Sequence, residues 1–138
     1  MTNFARLRDL IKQEERLGWA VKRQNAKCTR STQVFDSVPR GGGDGQRMES
    51  DAVRLVLLKE QHGLVKAELD KERAGLKIYM RRLDNGTQRA AMEMRYMKGV
   101  RVTEIGDAMG YTERQVFRIL KRAETQINQW QRAEEERG

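Results

Sequence analysis

One short stretch constrains the fold of this chain more than any other, because it specifies two helices and the turn between them. Residues 102–120 read VTEIGDAMGYTERQVFRIL. Ile105, Ala108 and Met109 recur at spacings of three and four residues, which predicts one apolar face of a short helix. This helix is expected to begin at Thr103, whose hydroxyl can cap the free amide donors of the first turn.

The residues that follow indicate a tight connection to a second helix. Gly110 lies where the turn requires a residue that tolerates positive φ. Gly106 offers no side chain where the second helix must cross closely. Thr112 with Gln115 three residues later is the pattern of a capping box. Two helices joined in this way are typical of a helix-turn-helix.

The second helix is predicted to have a buried stripe and an exposed polar face. The apolar residues that form the stripe are Val116, Ile119, Leu120 and Ala123. The residues left exposed near the helix start are Glu113, Arg114, Gln115 and Arg118. Such side chains can reach base edges in the major groove of duplex DNA. The competing interpretation is a helical hairpin that closes a small bundle and has a solvated charged face.

The charge balance favours a polyanionic partner. The 138-residue chain contains 28 Lys and Arg against 20 Asp and Glu, a net charge of +8. Residues 86–123 alone carry eight basic and four acidic side chains, whereas residues 48–85 carry eight and seven. Each phosphate that is neutralised by Lys or Arg releases condensed counterions. Residues 1–47 are also basic, with ten against five. The predicted helix-turn-helix is therefore basic, whereas the middle of the chain is nearly balanced.

Residue counts exclude several kinds of site. Cys28 and His62 are the only cysteine and histidine, so neither an intrachain disulfide nor a zinc site can form. The same counts suggest no nucleophile–base pair, and we expect no enzyme activity, cofactor or metal. The longest apolar runs, such as Val53 to Leu58, are too short for a membrane span, and the charged start of the chain is not a signal peptide. A cytoplasmic location in a bacterial host cell is expected.

The first part of the chain is predicted to be a helical oligomerisation region. Helices are expected over about residues 2–24 and 48–83, separated by a flexible loop over about residues 25–47 that contains Pro39 and several glycines. Eight of eleven positions in a heptad series on the second helix are apolar, and Asp51, His62 and Glu72 interrupt it. The series is Met48, Asp51, Leu55, Leu58, His62, Val65, Leu69, Glu72, Leu76, Tyr79 and Leu83. Such a seam is typical of a coiled coil. It must be covered by the first helix, by a second copy, or by both.

Together these patterns predict an all-α fold with two domains. Residues 1–83 form a helical hairpin or coiled coil, and residues 84–132 form a three-helix domain with the helix-turn-helix. The first helix of that domain is expected over residues 87–98 and ends at Gly99. Its inward-facing residues are Ala91, Met94 and Met97.

Residues 95–123 resemble region 4 of bacterial sigma factors. The matching features are Arg95-Tyr96, Gly99, Glu104-Ile105, Gly110-Tyr111 and the tail from Val116 to Ala123. The layout of the whole chain is similar to that of phage late-gene transcriptional regulators of the RinA/ArpU type, which place a coiled-coil-prone part before such a domain. The chain departs from the pattern at Gly106, where alanine is usual, and it has no region 2 for promoter melting.

The resemblance implies a sequence-specific DNA-binding transcriptional regulator of a phage, and it leaves contact with bacterial RNA polymerase open. The positions implied to read bases are Thr112, Glu113, Arg114, Gln115 and Arg118. The positions implied to hold phosphates are Arg101, Thr103, Lys121 and Arg122, and Lys98 is a further cation expected to bind the DNA backbone.

Two other functions remain as alternatives. Small-terminase-like DNA-packaging components also combine a helix-turn-helix with oligomerising helices, although they usually place the DNA-binding domain first. A polymerase-binding adaptor would dock its sigma-like domain on RNA polymerase without touching DNA. A homo-oligomer is expected, with a dimer favoured, because a single small module buries too little surface for tight specific binding.

Overall fold

The computed structural model describes the backbone of residues 2–37 and 43–138, and the side chains of residues 2–29 and 48–138. The described residues form helices and turns with no strand, so the predicted all-α fold is confirmed. The elements are α1 (Phe4–Ser37), α2 (Gly43–Met80), α3 (Gly86–Met92), a π-helical segment (Glu93–Met97), α4 (Val102–Met109) and α5 (Glu113–Arg137). Within the described ranges, no helix is both long and apolar enough to cross a membrane.

The first two helices are longer than the apolar pattern indicates. α1 continues to Ser37 and α2 begins at Gly43, so most of the predicted loop over about residues 25–47 is helical and that prediction is wrong. Its remaining part, residues 38–42, lies outside the described residues. In the described part of this polar extension of α1, the Thr29 hydroxyl donates to the Asn25 carbonyl oxygen at 3.0 Å.

Contacts divide the chain into two units. The hairpin unit is Lys12–Glu68, and the core unit combines Met1–Ile11 with Leu69–Gly138. The predicted domains, residues 1–83 and 84–132, place this boundary differently. The reason is that the first turns of α1 and the last turns of α2 bury apolar side chains together with the C-terminal helices.

The helices of the hairpin unit run antiparallel. The Gln24 amide donates to the Asp51 carbonyl oxygen at 3.0 Å, whereas His62 Nε2 lies 3.1 Å from Oε1 of Glu14. Later positions on α1 therefore meet earlier positions on α2. The half-buried residues of α2 in this unit include the members of the heptad series Met48, Asp51, Leu55, Leu58, His62 and Val65. The predicted seam is thus the face of α2 that this unit protects from solvent.

The core unit contains all the buried apolar side chains of the described residues. These are Phe4, Leu7, Leu10, Ile11, Leu69, Leu76, Met80, Leu83, Ala91, Met92, Tyr96, Val102, Ile105, Val116, Leu120, Ala123 and Ile127. The Phe4 ring packs on the Tyr96 ring, with 5.4 Å between the centroids. The start of the chain and the C-terminal helices therefore share one hydrophobic core.

The π-helical segment turns Tyr96 into this core. Its wider hydrogen bonding includes the Lys98 amide, which donates to the Glu93 carbonyl oxygen five residues earlier at 3.1 Å. Arg73 Nε donates to the Tyr96 carbonyl oxygen at 2.6 Å. Gly99 follows with φ of +66°, so the predicted helix end at this glycine is confirmed. The regular helix expected over residues 87–98 is wrong in its last turn.

A polar network surrounds the Tyr96 hydroxyl inside the core unit. The hydroxyl donates to the Glu124 carboxylate and accepts from Arg8 Nη1 at 3.0 Å. Arg8 also pairs with Glu124 at 3.2 Å. Burial, together with the hydrogen bond to Glu124, raises the pKa of Tyr96 well above its ordinary value. The network joins α1, the π-helical segment and α5 through groups that are satisfied only when all three are in place.

Replacing Tyr96 with phenylalanine should lower the free energy of unfolding at neutral pH by about 0.5–1.5 kcal/mol. The substitution removes one hydrogen-bonded hydroxyl, while the ion pair between Arg8 and Glu124 remains. Above pH of about 10 the unfolded chain releases the tyrosine proton and the folded chain keeps it, so the unfolding free energy of the parent protein falls as the pH rises. Denaturant titrations from pH 7 to 11 should show a shallower fall for Tyr96→Phe. The exposed Tyr111→Phe is the matched control, and an equal flattening by both variants would contradict the assignment.

Candidate nucleic-acid interface

The turn between α4 and α5 has the geometry expected of a helix-turn-helix. α4 ends at Gly110, whose φ is +75°, in the left-handed region where a side chain would be strained. The Tyr111 amide donates to the Gly106 carbonyl oxygen at 2.9 Å, which closes the turn. The prediction that Gly110 requires positive φ is confirmed.

Gly106 allows the close approach of the second helix that the sequence predicts, although the atom nearest to Gly106 belongs to the turn before that helix. A Cβ at this position would lie 2.6 Å from the Tyr111 carbonyl oxygen and 3.6 Å from Cγ2 of Val116. The absence of a side chain therefore lets the turn pass directly over α4.

Two details of α4 differ from the prediction. The helix begins at Val102 with Arg101 as the N-cap, so the predicted cap by Thr103 is wrong. Val102 and Ile105 are buried, whereas Ala108 is exposed. Because Val102 is buried, the inward face of α4 begins one residue before Thr103. Thr103 therefore lies on the exposed side of the first turn.

The start of α5 is fixed by the predicted capping box. The Thr112 hydroxyl accepts from the Gln115 amide at 3.2 Å, and Gln115 Oε1 accepts from the Thr112 amide at 2.9 Å. Two of the free donors near the helix start are thereby satisfied. The Gln115 side chain points back along the chain in this arrangement, so a bidentate contact with adenine would require it to leave the cap.

The buried stripe of α5 orients its opposite face toward solvent. Val116, Leu120 and Ala123 are buried as predicted, and Ile119 is half-buried. The stripe extends through Ile127, and both α3 and α4 pack on α5. The residues that remain exposed in the first turns of the helix are Glu113, Arg114, Gln115, Phe117, Arg118, Lys121 and Arg122.

Positive charge on this face is concentrated in a cleft beside α3. The cleft has a volume of about 500 Å³ and is lined by Gln88, Arg118, Lys121, Arg122, Thr125, Gln126 and Gln129. Among the ion pairs of the described residues, none involves Arg114, Arg118, Lys121 or Arg122. No described carboxylate neutralises their charges, which are therefore available to an anionic partner.

The other residues predicted to bind the DNA backbone lie before and at the start of α4. Lys98 ends the π-helical segment, Arg101 caps α4 and Thr103 lies in its first turn, and all three are exposed. The structure thus brings Arg118, Lys121 and Arg122 together in one cleft and places the other three on a separate segment.

Sequence reasoning missed two residues of the interface. Gln88 lines the cleft from α3, and only the tertiary packing of α3 on α5 reveals this. Phe117 is 54% exposed on α5. Its position outside the spacing of the buried stripe was the available signal, because this spacing predicts that its side chain is not part of the core.

Comparison with known proteins assigns the chain to a family without assigning its function. The sequence profile of a family described as "Protein of unknown function (DUF1492)" matches residues 30–128. This range includes all of α2, α3 and α4 and most of α5, and it omits the N-terminal residues that complete the core unit. No curated protein and no solved structure shows significant similarity to the chain. Because the match covers more than half of the sequence, the chain belongs to the DUF1492 family.

Proposed function

We propose that this protein is a sequence-specific DNA-binding transcriptional regulator that acts in the cytoplasm of a phage-infected bacterial cell. One observation carries the proposal: α5 begins at a capped, tightly turned N-terminus and exposes cations that take part in no ion pair of the described residues, namely Arg114, Arg118, Lys121 and Arg122. A helix of this kind fits the width of the major groove. The basic balance of residues 86–123 supports the same partner.

Base reading falls mainly to Arg114 and Arg118. Each has a guanidinium that can donate two hydrogen bonds to O6 and N7 of a guanine. Glu113 accepts from cytosine or favours the positive end of the α5 dipole. Thr112 and Gln115 hold the helix start through the capping box, so their part in base reading is secondary.

Affinity without sequence preference comes from the cations that meet phosphates. Lys121 and Arg122 do so from the cleft, and Lys98 and Arg101 do so from the segment before α4, with Thr103 as a hydroxyl donor. Contacts of this type hold the register of the protein on the duplex and weaken as salt concentration rises.

The two roles predict different effects of removing one cation from α5. In titrations of duplexes selected from random DNA, Arg118→Ala should reduce the preference for the selected site by about 1–3 kcal/mol. Lys121→Ala should weaken selected and unrelated duplexes alike and reduce the slope of log affinity against log salt by about one. Lys59→Ala removes the same charge from an exposed position in the hairpin unit and is the control.

These titrations can contradict the proposal directly. Unchanged site preference in Arg118→Ala would remove its assignment as a base reader. A parent protein that binds no duplex at low salt, yet retains RNA polymerase during purification, would favour the adaptor function instead.

The proposed regulator acts as a homo-oligomer, with a dimer favoured. A single small module buries limited surface on DNA, and a second copy doubles the contact. The hairpin unit leaves Val53, Leu57 and Leu64 more than half exposed, which supports association of copies through this part of the chain. Measurement of mass in solution tests this, and a ring of eight or more copies would favour DNA packaging.

A further inference from the structure

An exposed aromatic ring accompanies the cations of α5. Phe117 is 54% exposed, while its neighbours in the buried stripe, Val116 and Leu120, are 0% and 5% exposed. The core is therefore filled without Phe117. Truncating this ring removes little buried contact, and the fold gives no account of why an aromatic residue stands there.

The position of Phe117 on the helix associates it with the charged face. At about 100° per residue, its side chain leaves the axis about 40° from Glu113 and Lys121 and about 60° from Arg114. Lys121 and Arg114 carry positive charge that no described ion pair neutralises. A partner that covers Phe117 must therefore also accept adjacent cations, and this charge complementarity favours a nucleic acid.

The major groove contains one kind of apolar group at its base edges, the C5-methyl of thymine. Base edges otherwise present hydrogen-bond donors and acceptors, for which a phenyl ring has no matching group. We propose that Phe117 is a specificity residue that packs on the thymine methyl in the DNA site, beside the guanine contacts of the arginines. This inference rests on the proposed function and adds to it a base that the helix selects.

The test uses duplexes selected from random DNA with the full-length protein, because the target site is unidentified. In the best duplex, each thymine is replaced singly by deoxyuridine, which removes the methyl and keeps the hydrogen-bonding pattern. At one position the parent protein should lose about fourfold in affinity, the value expected when one buried methyl is lost. Phe117→Ala should bind the thymine and deoxyuridine duplexes equally, and Phe117→Leu should keep part of the difference.

A matched control truncates another exposed apolar side chain. Ile78→Ala, at 63% exposure on α2 in the core unit, should leave the thymine preference unchanged. Thermal unfolding of Phe117→Ala should resemble that of the parent, because the ring is exposed, so that altered binding reflects the missing ring.

The possible outcomes separate this inference from the proposed function. Binding of selected duplexes with no sensitivity to any deoxyuridine, or selected duplexes that lack thymine, would overturn the role of Phe117 and leave DNA binding intact. A thymine preference that survives in Phe117→Ala would do the same. Failure of the parent protein to bind any duplex would overturn both. If Phe117→Ala binds DNA as the parent does and loses retention of a protein partner, the ring is a protein-docking residue and the inference is wrong.

Discussion

Replacing Leu7 with alanine is expected to lower the free energy of unfolding of the core unit by about 2–5 kcal/mol. Leu7 is 0% exposed, and it lies in the first turns of α1. Truncation removes buried apolar surface and leaves a cavity that the surrounding side chains fill only in part. The loss should be measured in the full-length chain by denaturant titration.

The two tryptophans allow each unit to be followed separately. Trp130 lies in the core unit and Trp19 in the hairpin unit, so Trp19→Phe leaves a fluorescence signal from the core unit alone. Ile78→Ala truncates an aliphatic side chain of the same size at a site in the core unit that is 63% exposed, and it should cost little. If Leu7→Ala costs no more than Ile78→Ala, the N-terminal residues are not part of the core around the helix-turn-helix.

The same result bears on where the proposed DNA-binding domain begins. A domain limited to residues 84–132 would lose the contribution of Leu7 and of the last turns of α2. Leu69 and Leu76 are both 0% exposed in the core unit. A fragment that begins at residue 84 would therefore expose the surface that these side chains cover and is expected to be less stable than the core unit.

The helix-turn-helix was predictable because its signals are local. A positive-φ glycine, a capping box and a stripe at spacings of three and four are each specified within a few residues, and the structure has all three at Gly110, Thr112 and Val116. Backbone geometry at such positions depends on the residue type itself, with little contribution from distant contacts.

The composition of the core unit was not predictable in the same way. Periodicity identifies an apolar face and does not say which partner covers it. The heptad series on α2 continues without a change from half-buried Val65 to buried Leu69 and Leu76. The part of α2 that belongs to the core unit is fixed by contacts with residues far away in the sequence, such as the hydrogen bond from Arg73 to the Tyr96 carbonyl oxygen.

The charged residues of the candidate site could be predicted from the sequence, whereas the predictions for Gln115 and Phe117 were incomplete. Arg114, Arg118 and Lys121 follow from the helical spacing alone. Gln115 was assigned to both the capping box and base reading, and the observed hydrogen bonds confirm the capping box, while base reading stays a prediction. Phe117 was passed over although its position lies outside the spacing of the buried stripe, and the structure shows that it is 54% exposed.

A second large effect is expected at Gly106, where alanine should destabilise the core unit by about 1–3 kcal/mol. The added Cβ would lie 2.6 Å from the Tyr111 carbonyl oxygen. This oxygen belongs to the backbone of the turn, so it cannot move aside as the end of a flexible side chain could. The displacement would pass to Thr112, which caps α5, and DNA binding should weaken with stability.

Gly75→Ala is the matched control, because it makes the same change in a helix of the same unit where no atom lies within 4 Å of the added Cβ. There alanine should stabilise by about 0.5–1 kcal/mol through its higher helix propensity. Thermal unfolding of the two variants should therefore shift in opposite directions. Equal stabilisation by both substitutions would mean that the turn relaxes without cost, and the close approach at Gly106 would then not constrain α5.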